Sequence, residues 1–580
     1  MESSNTEIDS TEVSEDESCE EQDTYISKYR QISSSEDECS EEEETYLSKN
    51  GQMRTSVDEN SEETYMSKNR EICWSSKVLE QEGPAMVPAQ CVLKKRPTPG
   101  PTKSCISQAQ DIMSTFKLFI PKSMEKIIID RTNLEGKRRF SKNWQEFTAS
   151  EFDAFMGLLI MAGGVESARE SAISLWNQKT GRTIFRATMT KKRFCVLSNV
   201  MRFANPESKV LKKSTDKLAA FRDVWDTWSS NLSIMYNPGH DITIDEHQVP
   251  FKGRCPFREN MPHIPSKSDI KLWAACDSRS SYCWKVQVYT GKPPGEETEE
   301  NLAKRVVLDL SKGLKGQNVT LGSFFTSFDL GQELLKKKLT MTGEVRCSRP
   351  ELPSDFLISK GRRLHSSKFG FFSNTTIVSY LKKRTKNMLL MSTFHKKPQI
   401  SDRLDRMPHI VIDYNENKGG VDTMNKLTSA YSTIQKTTHW TLALFCDMLD
   451  IAAHNACVVW NEINPEWKTG KRYRRKLFLQ ELGEALVAPA MQQRTRLIRR
   501  FVGAGVAMER KDLPAPPALP ASQGKGRSGC VLCDSGKAKQ TRVVCNTCGH
   551  FACHPRSSVS KDLNQQVWTE QHPLIYPKPY

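Results

Sequence analysis

Residues 236–246 read Tyr236-Asn237-Pro238-Gly239-His240-Asp241-Ile242-Thr243-Ile244-Asp245-Glu246, and the fold turns on them. Asn-Pro-Gly is turn chemistry; after it Ile242 and Ile244 alternate with polar neighbours into Asp245, the two-residue period of a half-buried strand. Lys271–Cys276 and Tyr282–Tyr289 read as two more strands, separated by the turn-rich Asp277-Ser278-Arg279-Ser280-Ser281. A helix over 301–314, a short strand Val319-Thr320-Leu321, a helix over 330–339 and a strand near 343–346 follow. Three strands, then helix, strand, helix and strand predict an α/β core with helices packed on a mixed sheet. Its first part spans 238–349. Residues 350–405 read as an insertion rich in short strands, Met388–Ser392 being the clearest. The core resumes over 406–458 with a strand at His409–Tyr414 and a helix opened by Gly419-Gly420-Val421-Asp422.

Upstream, 108–237 has helical spacing: Phe116, Phe119, Ile127 and Ile128, then a stripe of Phe152, Phe155, Met156, Leu159 and Ile160. Thr148 with Glu151 is a capping-box pattern opening that helix, and Gly163-Gly164 ends it. A basic run, Lys191-Lys192-Arg193, lies further along. Downstream come a helical tail over 459–513, a Pro/Ala/Ser/Gly linker over 514–528 and a cysteine-rich module over 529–580.

At the other end, residues 1–85 form a degenerate acidic repeat. Thr24-Tyr25-Ile26-Ser27-Lys28, Thr45-Tyr46-Leu47-Ser48-Lys49 and Thr64-Tyr65-Met66-Ser67-Lys68 each follow an acidic stretch. Repeats this short and polar cannot bury a core, so a disordered arm is expected. Ser33 to Ser35 before Glu36-Asp37-Glu38 are sites for an acid-directed kinase, or part of an inert solubilising tail. Residues 86–107, with Lys94-Lys95-Arg96 and Pro101, read as a basic, Pro-rich linker and a short nuclear import signal.

Charge sharpens this division. The first 72 residues hold 22 acidic against 6 basic side chains, a local charge of −16, so the other 508 carry +31 of the chain's +15 net. A strongly basic body behind an acidic arm points to a polyanionic partner, double-stranded DNA above all, because phosphate binding releases counterions. The arm itself could engage other proteins. No run approaches 18 consecutive apolar residues and the N-terminus is acidic, so no membrane span or secretory signal is expected. Seventeen scattered cysteines fit free thiols plus a metal site better than a disulfide framework.

Several strings, taken in order, resemble the piggyBac transposase family: Ile242-Thr243-Ile244-Asp245-Glu246, Phe251-Lys252-Gly253-Arg254, Phe324-Phe325-Thr326-Ser327, Ser392-Thr393-Phe394-His395, and Tyr414-Asn415 with Gly419-Gly420-Val421-Asp422. Leu175-Trp176 also matches, and the series covers roughly residues 110–490. The resemblance implies a ribonuclease-H-like catalytic core embraced by helical DNA-binding and dimerisation regions, and a nuclear protein. In that family three aspartates hold two Mg²⁺ or Mn²⁺ ions for cut-and-paste transposition at TTAA targets. The first falls on Asp245 and the third on Asp422. The second should follow the strand Val319–Leu321, where this chain reads Gly322-Ser323, and glycine offers no ligand. A further acidic position of the family is Asn425 here. On local sequence alone, Asp245-Glu246 is an ordinary strand-end pair and Asp422 a helix-dipole acid.

The C-terminal module reads Cys530-x2-Cys533, Cys545-x2-Cys548, then Cys553, and two such knuckles are a zinc signal. The resemblance extends to the family's cross-brace finger, with Cys530, Cys533, Cys553 and His554 on one zinc. Cys545 and Cys548 would take a second zinc with two later ligands; the family's later cysteine pair is missing here, which leaves His550 and His572 as substitutes. The expected protein is a domesticated transposase that binds DNA but is defective in cleavage. Beside it stand an active transposase, by a substitute carboxylate such as Asp329, and an interaction protein built on the zinc module and arm.

Overall fold

A computed structural model describes residues 63–78, 97–164, 172–204, 216–257, 259–260, 268–291, 301–434, 437–509, 528–529 and 540–541. Its strands are β1 (Thr64–Met66), β2 (Cys73–Ser75), β3 (Gly100–Pro101), β4 (Tyr236–Asn237), β5 (Asp241–Pro250), β6 (Glu259–Asn260), β7 (Ser268–Asp277) and β8 (Cys283–Val288). They continue with β9 (Asn318–Leu321), β10 (Thr340–Glu344), β11 (Ser367–Phe372), β12 (Thr375–Lys383), β13 (Lys386–Ser392), β14 (Ser528–Gly529) and β15 (Gln540–Thr541). The chain divides into two compact units, Met1–Ile498 and Arg499–Tyr580.

The first unit is built on one mixed sheet in the order β1-β2-β11-β12-β13-β10-β9-β5-β7-β6, with β8 also on β7. β5, β7 and β8 form an antiparallel meander, whereas β9 runs parallel to β5 and β10 parallel to β9. The two parallel steps need crossovers, which the helices Leu302–Leu310 and Phe328–Lys336 supply. The α/β expectation for 238–349 holds. The insertion is no separate layer: β13 pairs antiparallel with β10, so its strands extend the same sheet.

Helices cover this sheet. In the Ala149–Gly163 helix all five residues of the expected stripe are buried, and Thr148 accepts from the Glu151 amide at 3.3 Å. Only half of the capping box forms, because the Glu151 carboxylate instead takes two bonds of 2.7 Å from Arg193, whose guanidinium lies over Trp144. The Trp440–Ile463 helix is long and apolar enough to cross a membrane, yet here it is a core helix almost wholly covered by protein. Its polar residues are spent on internal pairs: Asp450 accepts from Ser432 and the Thr433 amide, and Asn455 bonds both N–H and C=O of Cys283. That helix crosses the expected boundary at 458/459, which therefore marks no structural division.

Three sequence expectations are corrected. Residues 409–414 are helical, within His409–Asn417, where β-branched Ile410, Val411 and Ile412 imitate a strand. The burial of Ile410, Val411 and Tyr414 follows a helical face, and Pro408 sits where a helix begins. The linker expected over 86–107 is structured from residue 97: β3 pairs with β4, and Thr102 caps the helix Lys103–Gln108. Finally, the arm expected to be disordered to residue 85 folds over 63–78 into the hairpin β1-β2, joined to β11 at Ser75↔Phe371. Both elements gain their order from partners more than 130 residues away, which no local pattern records.

In the second unit β14 and β15 pair antiparallel. Cys530, Cys533, Cys545, Cys548, Cys553, His550, His554 and His572 lie outside the described residues, as do residues 1–62 and 79–96.

Candidate functional site

Strand β5 carries the site. Thr243, Asp245 and His247 lie on one face because side chains alternate along a strand, and this face meets the helix Gly420–Ala430. The approach is close. A Cβ on Gly420 would stand 2.9 Å from Thr243 Oγ1, so glycine is what lets the helix seat there. Thr243 Oγ1 donates to the Asn417 carbonyl at 2.5 Å, pinning the helix's entry. Asp422 thus enters in the first turn, exposed, on the side of Asp245.

Asp245 is half-buried and accepts from the Glu246 amide at 2.8 Å. Burial first, then the charges of Asp422 and Glu246, outweigh that amide and Lys271 and push its pKa up to about 6. Asp422 is thus near enough for its charge to act on Asp245. Gly322 faces it too. In the parallel register Ile244 pairs with Leu321, so the next residues, Asp245 and Gly322, are neighbours. A Cβ built on Gly322 would lie 3.6 Å from Asp245 Oδ1 and 3.8 Å from Oδ2, ordinary contact distances. The position expected to supply the middle carboxylate points at the first one and carries no side chain.

The surrounding acids are engaged elsewhere. Glu246 binds Lys271 Nζ at 2.6 Å, and Lys271 lies 5.3 Å over the Phe324 ring. Tyr414 OH donates to Glu344 at 3.5 Å. Asp329, the conceivable substitute, sits on the helix Phe328–Lys336, largely exposed and paired with Lys304 Nζ at 2.5 Å. Among the described residues no group of three or more His, Cys, Asp or Glu converges as a metal-ligand cluster.

Sequence reasoning missed His247. Asn425 Nδ2 donates to the Glu246 carbonyl at 3.2 Å, which turns its Oδ1 toward His247 Nδ1 at 2.7 Å. On the other side His247 Nε2 stands 2.7 Å from Asp447 Oδ1. With an acceptor at each nitrogen the ring holds both protons. Burial opposes the charge, but Asp447 and Asn425 outweigh it and push the pKa up to about 9. The available signal was position 247, two residues from Asp245 on a strand, together with Asp447 and Asp450 in an otherwise apolar helical pattern.

Away from the sheet, a cleft is lined by Ser174, Trp176, Asn177, Arg186, Thr190, Lys191 and Arg494. Three cations, an indole and small hydroxyl or amide groups form a surface suited to a phosphate backbone. Of the basic run, Lys191 is exposed there, whereas Arg193 is committed to Glu151.

Comparisons with known proteins bear on this geometry. Residues 111–457 match the family model described as Transposase IS4. The human (Homo sapiens) PiggyBac transposable element-derived protein 3 is 23% identical over 355 residues, 57% of this chain and 56% of that protein. The human Chimeric ERCC6-PGBD3 protein is also 23% identical over 355 residues, 57% of this chain but 31% of its own length. This chain thus spans about half, or less, of those relatives. A cryo-EM structure of the piggyBac transposase synaptic complex with hairpin DNA superposes with a TM-score of 0.66 at 28% identity, covering 78% of this chain and 97% of that one.

Proposed function

This chain belongs to the Transposase IS4 family, in its piggyBac-type branch, and from that premise we propose a transposase-derived nuclear DNA-binding protein that no longer cuts DNA. The observation carrying the proposal is Gly322, whose missing side chain would have faced Asp245 at 3.6 Å. The order β8-β7-β5-β9-β10, an antiparallel meander followed by two parallel strands, supports a ribonuclease-H-like core. In such a core the acids gather on the first strand and the end of the fourth, here β5 and β9.

Phosphodiester cleavage by a pair of Mg²⁺ ions needs several oxygen donors around hard cations. This face offers Asp245 and Asp422; Glu246 is held by Lys271, and Gly322 and Asn425 supply no carboxylate. The donor set does not fit two ions. What remains is a DNA-handling body: a charge of +31 outside the first 72 residues and the Arg186–Lys191–Arg494 cleft favour duplex DNA. Homodimerisation, and zinc on Cys530, Cys533, Cys545, Cys548, Cys553 and His554, belong to the same reading.

Filter binding over a salt series tests the DNA claim: affinity should fall steeply as salt rises. Strand cleavage on terminal-repeat DNA with Mg²⁺ or Mn²⁺ tests the other. If the unaltered protein cuts, and Asp245→Ala or Asp422→Ala abolishes cutting, the loss of activity is refuted.

A further inference from the structure

The hairpin of residues 63–78 is seated in a receptor groove made by residues 347–357 and β11. Ser67 bridges to Pro353, the Lys68 amide donates to the Leu352 carbonyl at 3.1 Å, and the Asn69 amide to Pro350 at 3.1 Å. Lys68 Nζ reaches the Cys347 carbonyl at 2.7 Å. Tyr65 meets Phe356 edge-on at 5.2 Å and donates its hydroxyl to Glu63. Trp74 is fully buried, edge-on to Phe328 and Phe372, with its indole N–H on the Glu351 carbonyl at 3.0 Å. Main-chain pairing combined with side-chain pockets is the way a groove reads an extended peptide.

The groups read by this groove occur three times in the chain. Glu63-Thr64-Tyr65-Met66-Ser67-Lys68 has counterparts in Asp23-Thr24-Tyr25-Ile26-Ser27-Lys28 and Glu44-Thr45-Tyr46-Leu47-Ser48-Lys49. The second copy matches further. Asn50 stands for Asn69, Met53 for the buried Ile72 and Ser56 for Ser75. Gly51 stands for Arg70, whose φ of 60° lies in the left-handed region that glycine enters without strain. The main difference is at Trp74, where the copies have Ser34 and Thr55.

We propose that residues 347–357 and β11 form a docking site for acid-Thr-Tyr-x-Ser-Lys segments, and that Glu44–Ser56 of the same chain is an alternative occupant. The second repeat is tethered 19 residues from the third, so the two compete at high effective concentration. The third prevails through its indole, by roughly a hundredfold, since burying a tryptophan is among the largest single side-chain contributions. Exchange moves the anchor by 19 residues and changes how much acidic chain extends from the sheet edge.

The test is proximity crosslinking of the full chain with a short bis-maleimide, read by peptide mass spectrometry as adducts to Cys347. Lys68→Cys is the control for the seated third repeat, and Lys49→Cys reports the second. In the otherwise unaltered chain the position-49 adduct should be a few per cent or less of the position-68 adduct. Adding Thr55→Trp, which alters no residue of the groove or of the third repeat, should raise it at least tenfold. So should Tyr65→Ala with Trp74→Ala, provided the circular dichroism is unchanged. A position-49 adduct that stays at background in both backgrounds, while position 68 reacts, overturns the proposal. An adduct joining two differently isotope-labelled chains overturns the same-chain assignment.

Discussion

Replacing Gly322 by aspartate should make the fold dependent on a divalent cation. The Cβ has room at 3.6 Å from Asp245 Oδ1, and Gly322 is outside the left-handed backbone region, so no steric or conformational penalty accompanies the change. The penalty is electrostatic. Two carboxylates about 4 Å apart repel by about 4 kcal/mol at an effective dielectric of 20, and by about half that where water reaches them. At roughly 2–4 °C per kcal/mol, Gly322→Asp should melt some 4–16 °C below the parent in EDTA. Mn²⁺ or Mg²⁺ at about a hundred times its Kd should return roughly 2.7 kcal/mol, while the parent responds little. Gly322→Ala adds the Cβ without the charge and should be neutral or more stable by up to about 1 kcal/mol. Calorimetry or a thermal melt of the three proteins, with and without metal, measures all of this. If Gly322→Asp melts like Gly322→Ala in EDTA, position 322 does not face Asp245 and the account of the defect collapses.

Other outcomes follow from the same geometry. His247 has a folded pKa of about 9, above its unfolded value near 6.5, so its contribution is full below pH ~6.5 and is lost as pH rises through about 9. Melting temperature from pH 6 to 10 should therefore decline at the alkaline end, and His247→Gln should remove that part of the slope. For the C-terminal module, metal analysis should find zinc bound, one ion per chain for the Cys530–His554 set, and chelation should unfold it; a folded, zinc-free module would rule the ligand assignment out.

How far the sequence could be read depended on whether the signal was local. β5, β7 and β9 announced themselves through alternation and turn residues, and the Gly420 helix through its glycines. Asp245, Gly322 and Asp422 were legible because a family pattern numbers them in order. His409–Asn417 misleads because Ile410, Val411 and Ile412 have strand propensity locally, whereas the buried face follows helical spacing. The 63–78 hairpin was unreadable for a different reason: its strands are only three residues each, and Trp74 gains its burial from the distant Phe328 and Phe372. His247 was missed because its role exists only through Asn425 and Asp447, distant in sequence.

That distance also sets the order of assembly during synthesis. Trp74 leaves the ribosome long before Phe328, Glu351 and Phe372, the residues that will cover it, have been made. With roughly 300 residues between Trp74 and Phe372, and elongation at about 5–20 residues per second, the indole is exposed for some 15–60 seconds. The acidic runs around the repeats surround that apolar group with like charge throughout the wait, a gatekeeping arrangement that discourages nascent chains from associating. The earliest-made strands of the large sheet thus wait for β11, roughly 300 residues further along the chain, before they have an edge to pair with.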